Sequence, residues 1–313
     1  MTRYSTGNMN LSNRLLCSVL VWLFLLPDVH AQELEPRRWS HVPVDANYLA
    51  VAYGNTQGHI FLDPVLRVED RTVSVHTAIA YYLRSFYLAG RTARFDVRLP
   101  YQQARWEGLL DGAPASVERE GLGDPRFRLS VNLLGAPALK GKDYRDFRIA
   151  NTTNTVVGAA LAVTVPLGHY KKDKLLNLGA NRFVIRPQAG VVHSRGPWSY
   201  ELTGSVLVFT DNNEFWNGNK REQDPLYVLQ GHVIRTFRRG IWASVSGGYD
   251  WGGQSTVNGE EKDDRRSEFL YALSAGMPIS KNSSIKIAYA RGRTREEVGS
   301  DTDNIAVAYS RRF

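Results

Sequence analysis

The sequence of 313 residues has little cysteine, little methionine and few long hydrophobic runs, and each shortage excludes a class of protein. It contains 1 Cys and 3 Met. Beyond the N-terminal segment, no apolar run approaches the ~18 residues that a membrane-spanning helix requires, so a helical membrane protein is excluded. The chain is instead rich in Tyr (15), Phe (12), Trp (7) and Gly (27), and this composition favours twisted β-sheet with tight turns over a helix bundle.

The N-terminus has the pattern of an export signal. Arg3 and Arg14 precede an apolar run from Leu15 to Leu26, and a Val-x-Ala cleavage pattern ends at Ala31. The apolar run is too short to cross a bilayer as a helix. We therefore predict a signal peptide over residues 1–31, with a short N-terminal anchor as the alternative.

The lack of cysteine in the predicted mature chain fits export to the bacterial envelope, and its charge bears on its partners. Cys17 lies inside the predicted signal, so a mature chain from Gln32 would have no cysteine, which excludes disulfides, thiolate metal sites and cysteine nucleophiles. The formal net charge of the full sequence is +8. Because the basic residues are scattered without a basic run, we expect no nucleic-acid partner and expect contact with anionic lipid head groups instead.

Segments of about ten residues with alternating apolar and polar side chains recur along the mature chain, as expected for strands with one face on lipid or core and the other in a polar environment. Between Thr92 and Gln102, for example, Phe95 and Leu99 lie on the apolar face and Arg94 and Arg98 on the opposite face. The alternation predicts twelve strands, at residues 46–57, 72–88, 92–106, 123–134, 154–167, 181–193, 197–210, 225–238, 240–252, 267–279, 283–293 and 302–313.

The connections between these strands are of two kinds. Those after even-numbered strands are mostly short and those after odd-numbered strands are longer and polar, which is typical of a transmembrane barrel with short periplasmic turns and long outer loops. The connection 135–153 is a long exception, for which we expect a short helix or a periplasmic plug. The predicted fold is all-β, an antiparallel up-and-down barrel of about 12 strands and outer-membrane type over residues 46–313, preceded by a periplasmic lead at 32–45.

A secreted, water-soluble β-sandwich or barrel is the alternative, since its strands would alternate in the same way. Two observations weigh against it. One face of nearly every strand carries more polar and charged side chains than a dry core could satisfy. Aromatic residues also gather toward the strand ends, as expected for the interface girdles of a membrane barrel; these are Tyr87, Tyr101, Trp106, Trp198, Trp242 and Trp251.

One stretch resembles a known family. Residues Gly121 to Leu139, GLGDPRFRLSVNLLGAPAL, are similar to the MetA-pathway phenol-degradation family of bacterial envelope proteins. Further similar stretches are Ala93–Val97, Leu99–Tyr101, Val165–Gly168, Asn177–Arg182, Phe209–Asn212 and Gln223–Leu226. The resemblance extends from about Asn47 to Phe313 and implies an outer-membrane β-barrel of transporter type, associated with the degradation of aromatic compounds.

No pattern for enzyme chemistry stands out in the sequence. The histidines of the mature chain lie far apart without metal-ligand spacing, so we expect no metal site, and no motif indicates a cofactor. The adjacent residues His193 and Ser194 lie at a predicted periplasmic turn, where a hydrolase of outer-membrane lipids would not place them. We therefore expect no catalytic residues and no enzyme activity.

The polar faces of the strands predict a narrow, net basic lumen. A barrel of 8 strands is filled by its side chains and one of 16 holds an open channel, so twelve strands predict a narrow or plugged passage. The inward charges either brace the barrel or favour the passage of anions by focusing the field. The predicted lumen-facing residues of the substrate pathway are Arg94, Asp96, Arg98, Arg126, Arg128, His76, Arg186, Gln188, Glu201, Gln230 and His232.

The functional prediction is a porin-like transporter in the outer membrane of a Gram-negative bacterium. It would take up small molecules passively, either aromatic or carboxylated compounds. The alternative is a closed structural barrel whose outer loops bind a surface partner. The alternating last strand ends in Phe313, similar to the signal through which the barrel assembly machinery recognises outer-membrane barrels, so the expected partners are that machinery, outer-membrane lipid and small solutes.

Overall fold

In the computed structural model, residues 34–61, 68–110 and 113–313 are described, and the predicted signal peptide lies outside them. Within these ranges there is one helix, α1, Gly141–Ala150, and none that is long and apolar enough to cross a membrane. The strands are β1 Asn47–Phe61, β2 Val68–Leu88, β3 Arg91–Leu110, β4 Ala113–Leu122, β5 Arg126–Leu134, β6 Thr153–Thr164, β7 Val184–Arg195, β8 Trp198–Phe209, β9 Asn212–Phe215, β10 Asn219–Gln223, β11 Leu226–Arg238, β12 Ile241–Gly252, β13 Ser255–Val257, β14 Glu260–Glu261, β15 Arg266–Pro278, β16 Ser283–Thr294 and β17 Gly299–Arg312.

Twelve long strands form a closed antiparallel barrel, which confirms the predicted fold. The strands that form it are β1, β2, β3, β5, β6, β7, β8, β11, β12, β15, β16 and β17, each within about four residues of its predicted bounds. The first and last strands pair along their whole lengths, with Val51 opposite Tyr309. Asn47 and Phe313 also exchange two backbone hydrogen bonds, of 3.3 and 3.0 Å, so the ring has no free edge at this seam.

Large apolar side chains project outward around the whole ring, because alternate residues of each strand point away from the interior. Representative exposed side chains are Leu49, Val51, Phe95, Leu99, Leu129, Leu161, Leu202, Leu229, Val245, Leu273, Ile287 and Ile305. Of the six predicted girdle aromatics, Trp106 and Trp242 differ from expectation: Trp106 packs on an inner apolar cluster, and Trp242 covers Gly276. Such an outward apolar surface requires a lipid environment.

The pairing between β3 and β5 ends at Gly123-Asp124-Pro125. The first half of β3 pairs with β5 and its second half pairs with β4, which lies where the sequence predicts a connection between strands. A proline has no backbone N–H for the ladder, so the strand breaks here. Asp124 closes the gap: its carboxylate accepts the N–H groups of Gly168 and Ala180 at 2.8 and 2.7 Å.

The short strands and α1 lie in the connections at the two ends of the ring. Four short strands, β14, β13, β10 and β9, pair in that order into a small sheet built from two of the long loops. There the backbone N–H of Ser255 donates to Asp264 at 2.7 Å, and burial raises the pKa of this carboxyl. The long connection 135–153 contains the predicted short helix, but α1 has no buried residue and does not fill the lumen.

Replacing Asp124 by Ala should loosen the loop 165–183 without unfolding the barrel. Two buried N–H groups would lose a charged acceptor, at a cost of about 2 kcal/mol, or roughly 30-fold in the local opening equilibrium. We expect correspondingly faster hydrogen exchange in peptides from this loop and unchanged exchange in β11 and β12. The matched control is Asp143→Ala on the exposed helix surface. Equal exchange in the Asp124 variant and the native protein would show that the carboxylate does not hold the loop.

Candidate functional site

The N-terminal residues Leu34–Ala46, here called the inner segment, cross the interior of the ring. At one end the Leu34 side chain lies so close to Gly248 of β12 that a Cβ there would come within 2.9 Å of it. At the other end, Asp45 donates its backbone N–H to the carbonyl of Ser85 in β2 at 3.0 Å. Residues 32–45 are predicted from the sequence to be a periplasmic lead. The structure instead places residues 34–46 against inward-facing side chains.

Trp39 fixes the middle of the inner segment. Its side chain is 0% exposed, and its indole N–H donates to the Thr203 hydroxyl at 2.8 Å. The ring lies directly on the backbones of Gly158 and Gly190, where an added Cβ would come within 2.3 and 2.1 Å of it. Only glycine at both positions leaves room for the indole, so the wall has a seat shaped for this side chain.

Charged groups on the wall bind the inner segment beside Trp39. Glu35 accepts hydrogen bonds from the guanidinium groups of Arg38 and Arg128 at 3.0 and 3.2 Å. Arg128 also donates to Asp96 at 2.8 Å, and both of these side chains are buried. Buried charges are stable only when they are paired in this way, so the wall and the inner segment depend on each other.

Backbone groups of Arg38 complete the attachment. Its N–H donates to the Glu201 carboxylate at 3.1 Å, and its carbonyl accepts a hydrogen bond from the Arg94 guanidinium. Further along, the His41 ring donates through Nε2 to the carbonyl of Pro137 at 2.8 Å, while Tyr144 of α1 donates to the His41 carbonyl at 2.9 Å. Burial lowers the pKa of His41, which favours the neutral ring.

Most of the predicted lumen residues do face inward, but they are covered. Arg186 donates two hydrogen bonds to Ser205, at 3.1 and 3.0 Å, and His232 is hydrogen-bonded to Ser246 at 2.8 Å. The covered residues of the predicted set are Arg94, Asp96, Arg128, Arg186, Gln188, Glu201, Gln230 and His232. Arg98 and Arg126, which are cross-strand neighbours, are half-buried and retain exposed surface inside the ring.

His76 is the exception and lies on the outer face. It is exposed, and the Tyr53 hydroxyl is 2.6 Å from its Nδ1. On β2 the apolar residues Val73 and Val75 point inward, so the polar face of this strand points outward, opposite to the prediction. The apolar face of β2 points inward because Val73 and Val75 pack in a buried cluster with Ile60, Ala104 and Leu178.

A second wall of the interior is made of small side chains. Because Val51, Ile287 and Val307 point outward, their alternate neighbours on β1, β16 and β17 point inward. These inward residues are Ala50, Ala52, Ala288, Ala290, Ala306 and Ala308, and all are only half-buried. Since they face the interior, the remaining exposure is to space inside the ring. The free part of the lumen therefore lies off centre, between this alanine wall and the inner segment.

The described residues offer little for catalysis or metal binding. No group of three His, Cys, Asp or Glu within ranges 34–61, 68–110 and 113–313 could hold a metal ion. His193 bonds Thr155 at 2.8 Å and Ser194 bonds Ser199 at 2.8 Å, so these two adjacent residues have separate partners.

Gly190→Ala should displace the inner segment, because the added Cβ overlaps the Trp39 ring. Overpacking of this kind costs about 1–3 kcal/mol, so the segment should open about tenfold more often. Trypsin should then cleave after Arg37 or Arg38 correspondingly faster in the folded, detergent-solubilised barrel. Gly204→Ala is the matched control, since nothing lies within 4 Å of its added Cβ. Equal cleavage in the two variants would contradict the proposed seat.

An outer membrane channel from Pseudomonas putida F1 has a similar fold, with a TM-score of 0.75 and 23% identity over 90% of this chain and 100% of that chain. The translocator domain of the autotransporter NalP from Neisseria meningitidis is more distant, with a TM-score of 0.47 and 10% identity over 88% and 91%. The toluene transporter TbuX from Ralstonia pickettii gives 0.42 and 9% over 87% and 90%.

A search of curated proteins found no match. The family described as "Putative MetA-pathway of phenol degradation" matches residues 63–299, which is more than half of the chain. This match confirms the resemblance noted in the sequence. The chain belongs to this family.

Proposed function

We propose that the protein is a porin-like channel in the outer membrane of a Gram-negative bacterium, through which small molecules are taken up passively. The observation that carries the proposal is a lipid-facing barrel whose interior is only partly filled, with half-buried alanines lining free space beside the inner segment. The description of the family supports aromatic solutes, and the excess of inward basic groups supports carboxylated ones.

The proposed mechanism is facilitated diffusion along the off-centre space. Arg98 and Arg126 keep exposed surface inside the ring, so they are the predicted pathway residues best placed to attract an anion. The buried members of the predicted set have a different role in this mechanism. They hold the inner segment against the opposite wall and so set the width of the passage.

The proposal includes export of the chain and its insertion into the outer membrane. The predicted signal peptide 1–31 would direct the chain across the inner membrane, and the exposed apolar belt would then contact outer-membrane lipid. Phe313, which is exposed at the seam between β1 and β17, would be recognised by the barrel assembly machinery. Neither catalysis nor a cofactor has a part in this function.

The second candidate is a closed structural barrel whose outer loops bind a surface partner. The specific observation in its favour is the buried network around Glu35, Arg128 and Asp96, which ties the inner segment firmly in place. The small sheet of β9, β10, β13 and β14 would then offer the binding surface.

Single-channel recording separates the two candidates. Refolded protein inserted in a planar bilayer under a salt gradient should give discrete steps, with a reversal potential that indicates a preference for anions. A folded barrel, recognised by its heat-dependent mobility on gels, that stays electrically silent would eliminate the channel and favour the structural role.

Trp39→Ala should enlarge the passage. Loss of a buried indole costs about 3–5 kcal/mol of packing, which is enough to release the inner segment from its seat. We expect larger single-channel steps and more frequent transitions than in the native protein. Trp251→Ala, which removes an indole from the outer surface, should leave the steps unchanged. Native conductance in the Trp39 variant would mean that the inner segment does not limit flow.

A further inference from the structure

Lys286 is an inward-facing ammonium group on the alanine wall. It lies on β16 close to the short turn that precedes the strand, and its cross-strand neighbours are Gly276 on β15 and Ala308 on β17. The side chain is half-buried. Within the described part of the chain it has no hydrogen bond and no ion pair, whereas the inward guanidinium group of Arg128 is bound to two carboxylates.

The surroundings of Lys286 leave space for a ligand. Gly276 and Ala308 beside it carry little or no side chain, and the alternate residues Ala288 and Ala306 continue the same half-buried surface. Because Lys286 and Ala308 are both half-buried, a carboxylate could approach the ammonium group from the interior on the Ala308 side, away from the indole that covers Gly276. A flat apolar body attached to that carboxylate would lie against the methyl groups of the wall and exclude water from them.

Trp242 and Arg37 bound this space on one side. Trp242 is in register with Gly276, and its indole covers that glycine so closely that a Cβ would come within 2.5 Å of the indole nitrogen. The guanidinium group of Arg37, from the inner segment, lies 5.3 Å from the centre of the indole ring. A solute that passes between the inner segment and the alanine wall thus meets a cation and an aromatic ring near the short-turn end of the barrel.

We propose that Lys286 is a binding residue for the carboxylate of a small organic anion with a planar apolar body. An ammonium group accepts a carboxylate through charge-assisted hydrogen bonds, and the alanine wall with Trp242 matches an aromatic ring. This inference rests on the proposed channel function and names the class of solute and the residue that selects it.

The test compares benzoate, phenol and acetate in the native protein and in Lys286→Met. In bilayers the native channel should favour benzoate, and the variant should lose about tenfold in benzoate permeability, the scale of one charge-assisted interaction, with phenol unaffected. Lys286→Arg should retain most of the preference. Lys281→Met, in the exposed turn before β16, is the matched control and should behave as the native protein.

The possible outcomes separate this inference from the proposed function. A conducting Lys286→Met variant with the native preference for benzoate would overturn the role of Lys286 and leave the channel intact. If the native barrel is silent, titration calorimetry of the refolded protein with benzoate still decides: binding that is lost in Lys286→Met supports the site, and equal or absent binding overturns it. Binding of acetate as tight as benzoate would overturn the part played by the apolar wall.

Discussion

The seat of the Trp39 indole on Gly158 and Gly190 determines how the interior of this barrel is filled. A ring of twelve strands encloses more volume than its own side chains occupy. The chain fills one side of that volume with its own N-terminal residues and leaves the other side lined by alanine. The lack of a side chain at Gly158 and Gly190 therefore determines where the free space of the lumen lies.

The pairing of the buried charged side chains depends on the inner segment that this seat holds in place. Arg128, Asp96 and Glu201 would be costly inside a membrane barrel without partners, and Glu35 and the Arg38 backbone supply part of what they need. Charge pairing here specifies the position of a segment more than it adds stability. Few of the inward charged side chains then remain accessible, so each accessible one has a larger influence on a solute in the lumen.

The strands were predictable because alternation is a local property with a period of two, and it repeats in every span of the ring. The orientation of β2 was not predictable, since its apolar face packs on a buried apolar cluster inside the ring and His76 therefore points outward. β4 escaped prediction because it carries Pro114 and two acidic residues, Glu118 and Glu120, which weaken the strand pattern. The inner segment could not be inferred at all, since its partners Thr203 and Glu201 are more than 160 residues away in sequence.

The continuity between the inner segment and β1 has a consequence for the order of assembly. Ala46 leads directly into the strand that must pair with β17, the last strand to be synthesised. The seat for Trp39 is built by β6, β7 and β8, which form from the middle of the chain. The inner segment therefore fills the lumen, and the strand β1 that follows it directly closes the seam. The free space of the lumen is what remains once residues 34–46 have occupied the rest of the interior.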